Sequence, residues 1–245
     1  MVFATYREKN SIRRAIEDFL ATGYVDEVIV VNNNAELGTD EEVRKTPARL
    51  VHEKRQGCGY AFQRGLGEAT GDYVILAEPD GTFVGSDIER FLVYAKQFPV
   101  VVGTRTNQSG ILDGAAMGLA RKYANFLEAK IIEVLFYTNS VTDIGCTYKL
   151  IRRDIANRLR PFFREGGALF ATEILLLVVS EKIPFVEIPI TFRQRVGESS
   201  LTASWYQLAY WGLRILWFIV SFWFKWISGR FFAFLKAKKN GKEVS

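Results

Sequence analysis

The feature that most constrains the fold is a regular alternation of short apolar strands with amphipathic segments through residue 103. Five runs have the length and the β-branched or aliphatic content of strands: Val2–Tyr6, Asp26–Val31, Arg49–His52, Tyr73–Ala77 and Val100–Gly103. The segments between them repeat apolar residues mostly at helical spacing. This alternation predicts an α/β fold, with an open and largely parallel sheet that carries helices on both faces.

The fourth predicted strand leads directly into two carboxylates, Glu78 and Asp80, which are separated by Pro79. Ligands of open α/β sheets bind beyond the carboxyl ends of the strands. Two carboxylates and the oxygens of a phosphate can bind a hard divalent cation, Mg²⁺ or Mn²⁺, and Thr82 is a possible further ligand. Taken alone, the same motif also suits an acidic loop that Pro79 and Gly81 turn.

Polar residues follow two other predicted strands. The second strand ends in Asn32-Asn33-Asn34, whose amides either form a turn or hydrogen-bond a ligand. The third precedes Gln56-Gly57-Cys58-Gly59, where a Gly-x-Gly pattern suits a tight turn or part of a dinucleotide fingerprint. The fingerprint of an NAD-dependent oxidoreductase follows the first strand instead, so that class of enzyme is the weaker alternative.

Composition excludes several kinds of site. His52 is the only histidine, and Cys58 and Cys146 are the only cysteines, so we expect neither a multi-histidine or thiolate metal site nor a disulfide framework. The net charge is +5, and most of the excess positive charge lies near the C-terminus. No basic helix carries interleaved base-reading side chains, so we expect no nucleic-acid partner.

The last forty residues predict association with a membrane. The chain is apolar and aromatic between residues 205 and 235, but its longest uncharged run, Ile215–Phe224, is shorter than the roughly 20 residues of a membrane-spanning helix. The polar residues of this segment fall mainly on one stripe at helical spacing. The pattern predicts amphipathic helices that lie in the membrane interface.

We therefore expect two parts, a catalytic domain over residues 1–201 and membrane-association helices over residues 202–245. Ser228-Gly229 is expected to divide the tail into two helices. Its basic end would be attracted by anionic lipids and contains Lys236, Lys238, Lys239 and Lys242. A spanning helix and an apolar face in a soluble oligomer are the alternatives. The expected location is the cytoplasmic face of a membrane, as a peripheral or monotopic protein.

Seven short motifs occur in a characteristic order along the chain. They are Ala4-Thr5-Tyr6-Arg7-Glu8, Gln56-Gly57-Cys58-Gly59-Tyr60-Ala61, Gly71-Asp72-Tyr73, Glu78-Pro79-Asp80, Gly103-Thr104-Arg105, Asp143-Ile144-Gly145-Cys146-Thr147-Tyr148-Lys149 and Arg195-Val196-Gly197-Glu198-Ser199-Ser200-Leu201. Together they resemble a family 2 glycosyltransferase of the GT-A fold, over about residues 2–201. Within that family the chain most resembles the polyprenol-phosphate (dolichol-phosphate) mannose and glucose synthases.

The resemblance implies an inverting transfer of a hexose, mannose from GDP-mannose in the first instance, to a lipid phosphate such as polyprenyl or dolichyl phosphate. It implies a donor-binding role for residues at the strand ends and in the arginine-rich loop: Ala4, Tyr6, Glu8, Asn32, Asn33, Lys54, Gln56, Gly57, Glu78, Pro79, Asp80, Arg193 and Arg195. Asp80 would hold the divalent cation, with Glu78 beside it or on the ribose. The family has a lysine where Ser200 stands, which leaves Arg193 and Arg195 as the cations over the diphosphate.

The resemblance also implies acceptor and catalytic residues. Those expected to bind the acceptor phosphate are Arg105, Arg121, Lys122 and Asn125, although Arg121 and Lys122 could equally be solvated helix charges. A lipid phosphate is already anionic and needs no general base, whereas a hydroxyl acceptor would need one. Asp143 and Glu173 are then the candidate bases, with a loop-capping role and a structural ion pair as their respective alternatives. The expected catalytic set is Asp80, Arg105, Asp143 and Glu173.

Two other functions stay open at this point. Within enzymes, the donor could be a UDP-sugar or the acceptor a glycolipid hydroxyl. Outside enzymes, the chain could be a nucleotide-sugar-binding membrane scaffold without turnover, because the asparagine triplet, Glu78 and Ser200 all depart from the motifs of the family.

Overall fold

The computed structural model describes residues 1–106, 119–138, 141–196 and 205–239. Within these ranges one seven-stranded sheet forms, in the order β3-β2-β1-β4-β6-β5-β7. The strands are β1 (Val2–Thr5), β2 (Ile29–Asn32), β3 (Arg49–His52), β4 (Tyr73–Ala77), β5 (Val100–Thr104), β6 (Lys149–Arg152) and β7 (Phe185–Pro189). Only β6 runs antiparallel to its neighbours among the described strand pairs. The predicted α/β fold with a largely parallel sheet is confirmed.

The helices that flank the sheet are α1 (Lys9–Leu20), α2 (Thr39–Arg44), α3 (Cys58–Glu68), α4 (Ile88–Ala95), α5 (Leu119–Phe136), α6 (Arg153–Leu159), α7 (Phe170–Ser180) and α8 (Trp205–Lys239). Successive side chains of a strand point to opposite faces of the sheet. In β4, Val74 and Leu76 join the hydrophobic layer that contains α3, α5, α6, α7 and α8. Ile75 and Ala77 join the opposite layer, which contains α1, α2 and α4. The sheet is therefore covered on both faces.

The long helix α8 continues without a break through Ser228 and Gly229. The predicted division of the tail into two helices at this dipeptide is wrong. A single glycine inside a helix costs only about 1 kcal/mol relative to alanine, and no proline stands beside it to remove a backbone donor.

One side of α8 packs on the rest of the protein. Ile219 is fully buried in the hydrophobic layer that α8 shares with α3, α5, α6 and α7. The indole Nε1 of Trp223 donates a hydrogen bond to the carbonyl of Leu135 at the end of α5, 2.8 Å away. The ring of Trp226 lies 5.2 Å from that of Phe136. The apolar surface that the sequence assigned to a membrane is thus partly used for packing within the protein.

The remaining surface of α8 exposes large apolar side chains, which are Tyr206, Tyr210, Leu213, Trp217, Phe224 and Ile227. Among the described residues, no helix combines the length and the apolarity that crossing a bilayer requires.

Candidate active site

The carboxyl ends of the parallel strands bring the predicted site residues to one edge of the sheet. Glu8 follows β1, Glu78 and Asp80 follow β4, and Arg105 follows β5. Because β6 is antiparallel, the loop that precedes it enters at this same edge and delivers Asp143. Glu8, Glu78, Asp80, Arg105 and Asp143 therefore all lie at the edge where ligands of open α/β sheets bind.

Asp80 is buried, and its two carboxylate oxygens have different surroundings. Oδ1 accepts hydrogen bonds from the backbone N–H of Thr82, at 3.0 Å, and from the hydroxyl of Thr82, at 2.6 Å. Oδ2 is buried and has no hydrogen-bond partner within the described part of the chain. The Nη2 atom of Arg195 lies 2.6 Å from Oδ2 as an ion pair, and the same atom lies 3.0 Å from Oε2 of Glu78.

This arrangement fits a divalent cation. Asp80 Oδ2 and the Glu78 carboxylate are hard oxygen ligands of the kind that Mg²⁺ and Mn²⁺ prefer. The hydroxyl of Thr82 donates to Asp80, so it orients that carboxylate. No group of three or more histidine, cysteine or acidic side chains suited to a metal occurs among the described residues. The protein would thus supply two carboxylates, and the diphosphate and water the other ligands.

Glu78 has an altered acidity. Desolvation within the site, and then the nearby charge of Asp80, raise the pKa of Glu78 to about 6, while Arg195 and Arg105 act in the opposite direction. Two adjacent carboxylates repel each other, and a cation between them relieves this repulsion. The site therefore favours the binding of a positive charge.

Asp143 is fully buried and holds Arg105 in a two-pronged ion pair. The Nε and Nη2 atoms of Arg105 lie 2.7 and 2.8 Å from the carboxylate oxygens, and the backbone N–H of Arg105 also donates to it. The side-chain amide of Asn125, on α5, donates to the same carboxylate at 2.7 Å. Burial alone would raise the pKa of Asp143, but the Arg105 guanidinium and these hydrogen bonds hold it well below its usual range.

A carboxylate in this state is a weak base. Its low pKa and its hydrogen bonds from Arg105, Asn125 and the backbone N–H of Gly145 favour the loop-capping interpretation of Asp143 over that of a general base. Arg105 and Asn125, both expected to bind the acceptor phosphate, use these donors within the protein.

Glu187, in the middle of β7, holds the backbone of the loop that carries Asp143. This residue was not identified from the sequence. Its carboxylate accepts hydrogen bonds from the backbone N–H groups of Thr142 and Asp143, both at 2.9 Å at the closest oxygen, and from the hydroxyl of Thr142. A glutamate in the middle of an otherwise apolar strand was the signal available in the sequence. Lys149 is likewise fully buried, and its ammonium group donates to the carbonyl of Cys146.

The asparagines after β2 brace neighbouring backbone. The Asn33 amide donates to the carbonyls of Glu53 and Arg55, and its oxygen accepts the N–H of Gly57 at 2.7 Å. The Asn32 amide donates to Asp40, while its oxygen accepts the N–H of Ala35. Of the two interpretations of the triplet, these contacts fit that of turn formers.

Gly57 stands at the turn into α3 with a φ of +142°, a conformation that residues with a β-carbon rarely adopt. A β-carbon at this position would also lie 2.1 Å from the carbonyl oxygen of Gly166. The first glycine of the Gly-x-Gly pattern is therefore required by a tight turn and by a close approach of two backbones.

Glu173, the second candidate base, lies in the first turn of α7 and is buried. Its two oxygens accept the backbone N–H groups of Arg164 and Glu165, at 2.8 and 3.1 Å. Burial raises the pKa of this carboxyl. The contacts give Glu173 a structural role, through hydrogen bonds to the backbone rather than through the ion pair considered as its alternative.

The other donor-site predictions fall into two groups. Around β1, Ala4 is buried in the strand, Tyr6 is exposed, and Glu8 accepts the N–H of Tyr6 at 2.7 Å. In the loops, Lys54, Gln56 and Arg193 have exposed side chains and Pro79 is buried.

In α5, Lys122 is half-buried, whereas the side chain of Arg121 lies outside the described part of the structure. Residues 197–201 of the last motif also lie outside it.

The Asp143–Arg105 pair generates a prediction about stability. Asp143→Asn leaves the guanidinium buried beside a neutral amide, so the free energy of unfolding at pH 7 should fall by about 3 kcal/mol. Urea denaturation measures it. Asp154→Asn breaks an exposed Asp–Arg pair and is the matched control, with an expected loss below about 0.5 kcal/mol.

The same experiment has a pH dependence. Because the pair lowers the pKa of Asp143, its stabilisation is complete above the ordinary aspartate pKa of about 3.9 and is lost as the pH falls further. The gap between wild type and Asp143→Asn should therefore narrow in acid. Equal stability of the Asp143 and Asp154 variants at pH 7 would contradict this account.

Comparisons with known proteins identify relatives of this chain. The chain is 26% identical over 192 residues to the low-salt glycan biosynthesis hexosyltransferase Agl6 of Haloferax volcanii, covering 78% of this chain and 45% of that protein. It is 23% identical over 230 residues to the dolichyl-phosphate beta-glucosyltransferase of Saccharomyces cerevisiae, covering 83% and 69%. A third relative, dolichyl-phosphate beta-glucosyltransferase ALG5C of Trichomonas vaginalis, is 25% identical, covering 73% and 56%. The chain thus spans about half to two thirds of the length of these relatives.

Solved structures share the fold. Glucosyl-3-phosphoglycerate synthase from Mycobacterium tuberculosis, in complex with Mn²⁺, UDP and phosphoglyceric acid, has a TM-score of 0.68 at 15% identity, covering 91% of this chain and 77% of that one. The complex of the same enzyme with Mn²⁺ and UDP-glucose has a TM-score of 0.67 at 16% identity, covering 90% and 77%. At this level of identity the likeness concerns the GT-A-like fold.

The family model described as Glycosyl transferase family 2 matches residues 1–160. This range contains β1 to β6 and the residues Glu78, Asp80, Arg105 and Asp143. The resemblance inferred from the sequence motifs is confirmed: the chain belongs to glycosyl transferase family 2.

Proposed function

We propose that this protein transfers a hexose, with glucose from UDP-glucose as the favoured donor, to a lipid phosphate such as dolichyl or polyprenyl phosphate. The observation that carries the proposal is the Glu78–Asp80 pair at the carboxyl edge of the sheet, where a buried carboxylate oxygen has no described partner beyond the ion pair with Arg195. Dolichyl-phosphate glucosyltransferases among the relatives support the acceptor and the sugar. GDP-mannose, the donor first expected, has no such support and stays a prediction.

The reaction displaces a nucleoside diphosphate from the anomeric carbon of the sugar, so negative charge grows on the leaving group. A divalent cation bound by Asp80 and Glu78 would neutralise this charge. Arg195 is already at this position and can pair with phosphate oxygens, since guanidinium groups bind phosphate with well-defined geometry.

The hydrogen bonding of the two candidate bases favours a phosphate acceptor over a hydroxyl. Asp143 is held ionised by Arg105, and both oxygens of Glu173 accept backbone N–H groups. A hydroxyl acceptor needs a free base, whereas an anionic phosphate attacks without one. Binding of that phosphate by Arg105, Arg121, Lys122 and Asn125 stays a prediction.

Titration calorimetry tests the donor assignment. Wild-type protein should bind UDP and UDP-glucose more tightly with Mn²⁺ than without it, and more tightly than it binds GDP-mannose. Asp80→Asn should weaken the Mn²⁺-dependent binding about tenfold or more, because the buried ligand oxygen is lost. The exposed Asp154→Asn is again the matched control and should bind as wild type does.

The outcomes separate the alternatives. A preference for GDP-mannose would restore the mannosyl donor and overturn the glucosyl one. Metal-dependent binding without any transfer or hydrolysis of the donor would favour the scaffold, and no metal-dependent binding of any donor would contradict the proposal.

The protein is further proposed to work at the surface of an anionic membrane. Helix α8 contains six lysine or arginine residues and no acidic residue. Its exposed face combines Trp217 and Tyr210 with Leu213. Aromatic and basic side chains on one helix are typical of an interface between lipid headgroups and acyl chains. Helix α5, which packs on α8, also exposes large apolar side chains, among them Leu127 and Val134.

Vesicle flotation tests the membrane proposal. The protein should float with vesicles that contain phosphatidylserine, and less with vesicles of phosphatidylcholine alone. Replacing Leu213 and Trp217 together by serine should lower the partition coefficient about tenfold or more, because two apolar side chains no longer enter the lipid. The matched control replaces Val93 and Tyr94, an exposed apolar pair on α4, and should leave binding unchanged. An equal loss of vesicle binding in both double variants would contradict the assignment of α8 to the membrane surface. If the Leu213 and Trp217 double variant instead lost a dimer that sedimentation detects in wild type, the soluble oligomer would be favoured.

A further inference from the structure

We propose that Arg195 is a built-in cation that occupies the divalent-cation position of the resting site and must leave it before a metal can bind. The inference rests on the proposed function only in assuming that a divalent cation binds Glu78 and Asp80. It assigns to Arg195 a role before the donor arrives, in addition to the predicted contact with the diphosphate.

The position of one nitrogen atom carries the argument. Nη2 of Arg195 lies 2.6 Å from Oδ2 of Asp80 and 3.0 Å from Oε2 of Glu78. Oδ2 is buried, and within the described ranges it has no hydrogen-bond partner beyond this ion pair. A dication bound to this oxygen could not share the position with a guanidinium, because the two charges would repel each other at contact distance.

The backbone of the arginine-rich loop delivers Arg195 to this place. The N–H of Arg193 donates to the carbonyl of Thr82, and the N–H of Val196 donates to the carbonyl of Asp80, both at 2.9 Å. The loop is thus paired with the metal-binding motif itself, on both sides of Arg195. This double attachment distinguishes the contact from that of a flexible surface arginine.

The charges explain why such a cation is needed. One nitrogen of Arg195 lies within 3.0 Å of a carboxylate oxygen of both Glu78 and Asp80, so the two acidic groups share this cation. Without a cation, two neighbouring carboxylates in a partly desolvated site repel each other. Arg195 neutralises one of the two negative charges in the resting site, so a metal alone must compete with an intramolecular partner.

The arrival of the donor changes this balance. A nucleoside diphosphate offers oxygens both to the metal and to the released Arg195, whose guanidinium suits phosphate. Metal and nucleotide are therefore expected to bind cooperatively, and each weakly when alone. The coupling is reciprocal, because the nucleotide must raise the affinity for metal as much as the metal raises the affinity for nucleotide.

Electron paramagnetic resonance of free Mn²⁺ measures the metal affinity without any turnover. In the absence of nucleotide, Arg195→Gln should bind Mn²⁺ about tenfold or more tightly than wild type, since the internal competitor is gone. Arg195→Lys keeps the charge and should stay close to wild type. Arg152→Gln is the matched control, because it removes the same charge at the amino end of β4, where Arg152 is opposite Tyr73. It should leave the affinity for Mn²⁺ unchanged.

Trypsin supplies a second measurement that a purely local charge effect would not change. Cleavage after Arg195 should be slow in the metal-free protein, because its guanidinium is held between Glu78 and Asp80 and trypsin must bind this side chain. It should become about tenfold faster when Mn²⁺ saturates the site and the side chain is released. Asp80→Asn should be cleaved rapidly without metal. Circular dichroism confirms that each variant is folded.

The inference is overturned if Arg195→Gln binds Mn²⁺ no more tightly than wild type, or if bound Mn²⁺ leaves cleavage after Arg195 unchanged. These failures differ from failure of the proposed function. A protein that releases Arg195 on Mn²⁺ binding but never transfers glucose would retain the internal cation and lose the proposed reaction. If wild type transfers glucose but Arg195→Gln binds Mn²⁺ no more tightly than wild type, the proposed reaction would stand and the internal cation would be lost.

Discussion

Buried carboxylates at the carboxyl edge of the sheet need positive charges beside them, and the arrangement of the site follows from this requirement. Asp143 is paired with Arg105, and Asp80 with Arg195, both over distances of less than 3 Å. In the first pair, the Asp143 carboxylate also accepts hydrogen bonds from Asn125 and from a backbone N–H group, so the pair stabilises the fold at this edge. In the second pair, the buried Oδ2 of Asp80 has no hydrogen-bond partner beyond its ion pair with Arg195 among the described residues. Its partner can therefore be exchanged.

The order of the strands makes this difference possible. β6 lies between β4 and β5 and runs against both, so the loop before it reaches the same edge as Asp80. Glu187 of β7 then fixes Thr142 and Asp143 through their backbone N–H groups. The half of the site that contains Asp143 is thus held by hydrogen bonds with α5 and β7, whereas the guanidinium of Arg195 contacts the metal-binding motif through one nitrogen. The exchangeable group is this side chain and not the backbone of its loop.

Much of the fold could be predicted from the sequence because the first five strands are compact runs of β-branched and aliphatic residues between helical segments. The position of Glu78 and Asp80 also followed, since they directly continue a strand. The roles of Asn33 and Glu173 could not, because their partners are backbone groups 8 to 24 residues away, which no local pattern encodes. The tail illustrates a third case. Its periodicity identified an apolar helix, but not that Ile219 faces the protein while Trp217 faces outward.

The central claim is that this edge transfers a hexose to an anionic lipid phosphate without a general base. The most direct measurement supplies UDP-glucose labelled in the sugar, Mn²⁺ and either polyprenyl phosphate or polyprenol in vesicles, and follows the label into lipid. The account predicts labelled lipid with polyprenyl phosphate alone, released again by mild acid as expected of a glycosyl phosphate, and none with Asp80→Asn. Labelling of polyprenol in preference to polyprenyl phosphate, or equal labelling by wild type and Asp80→Asn, would contradict it.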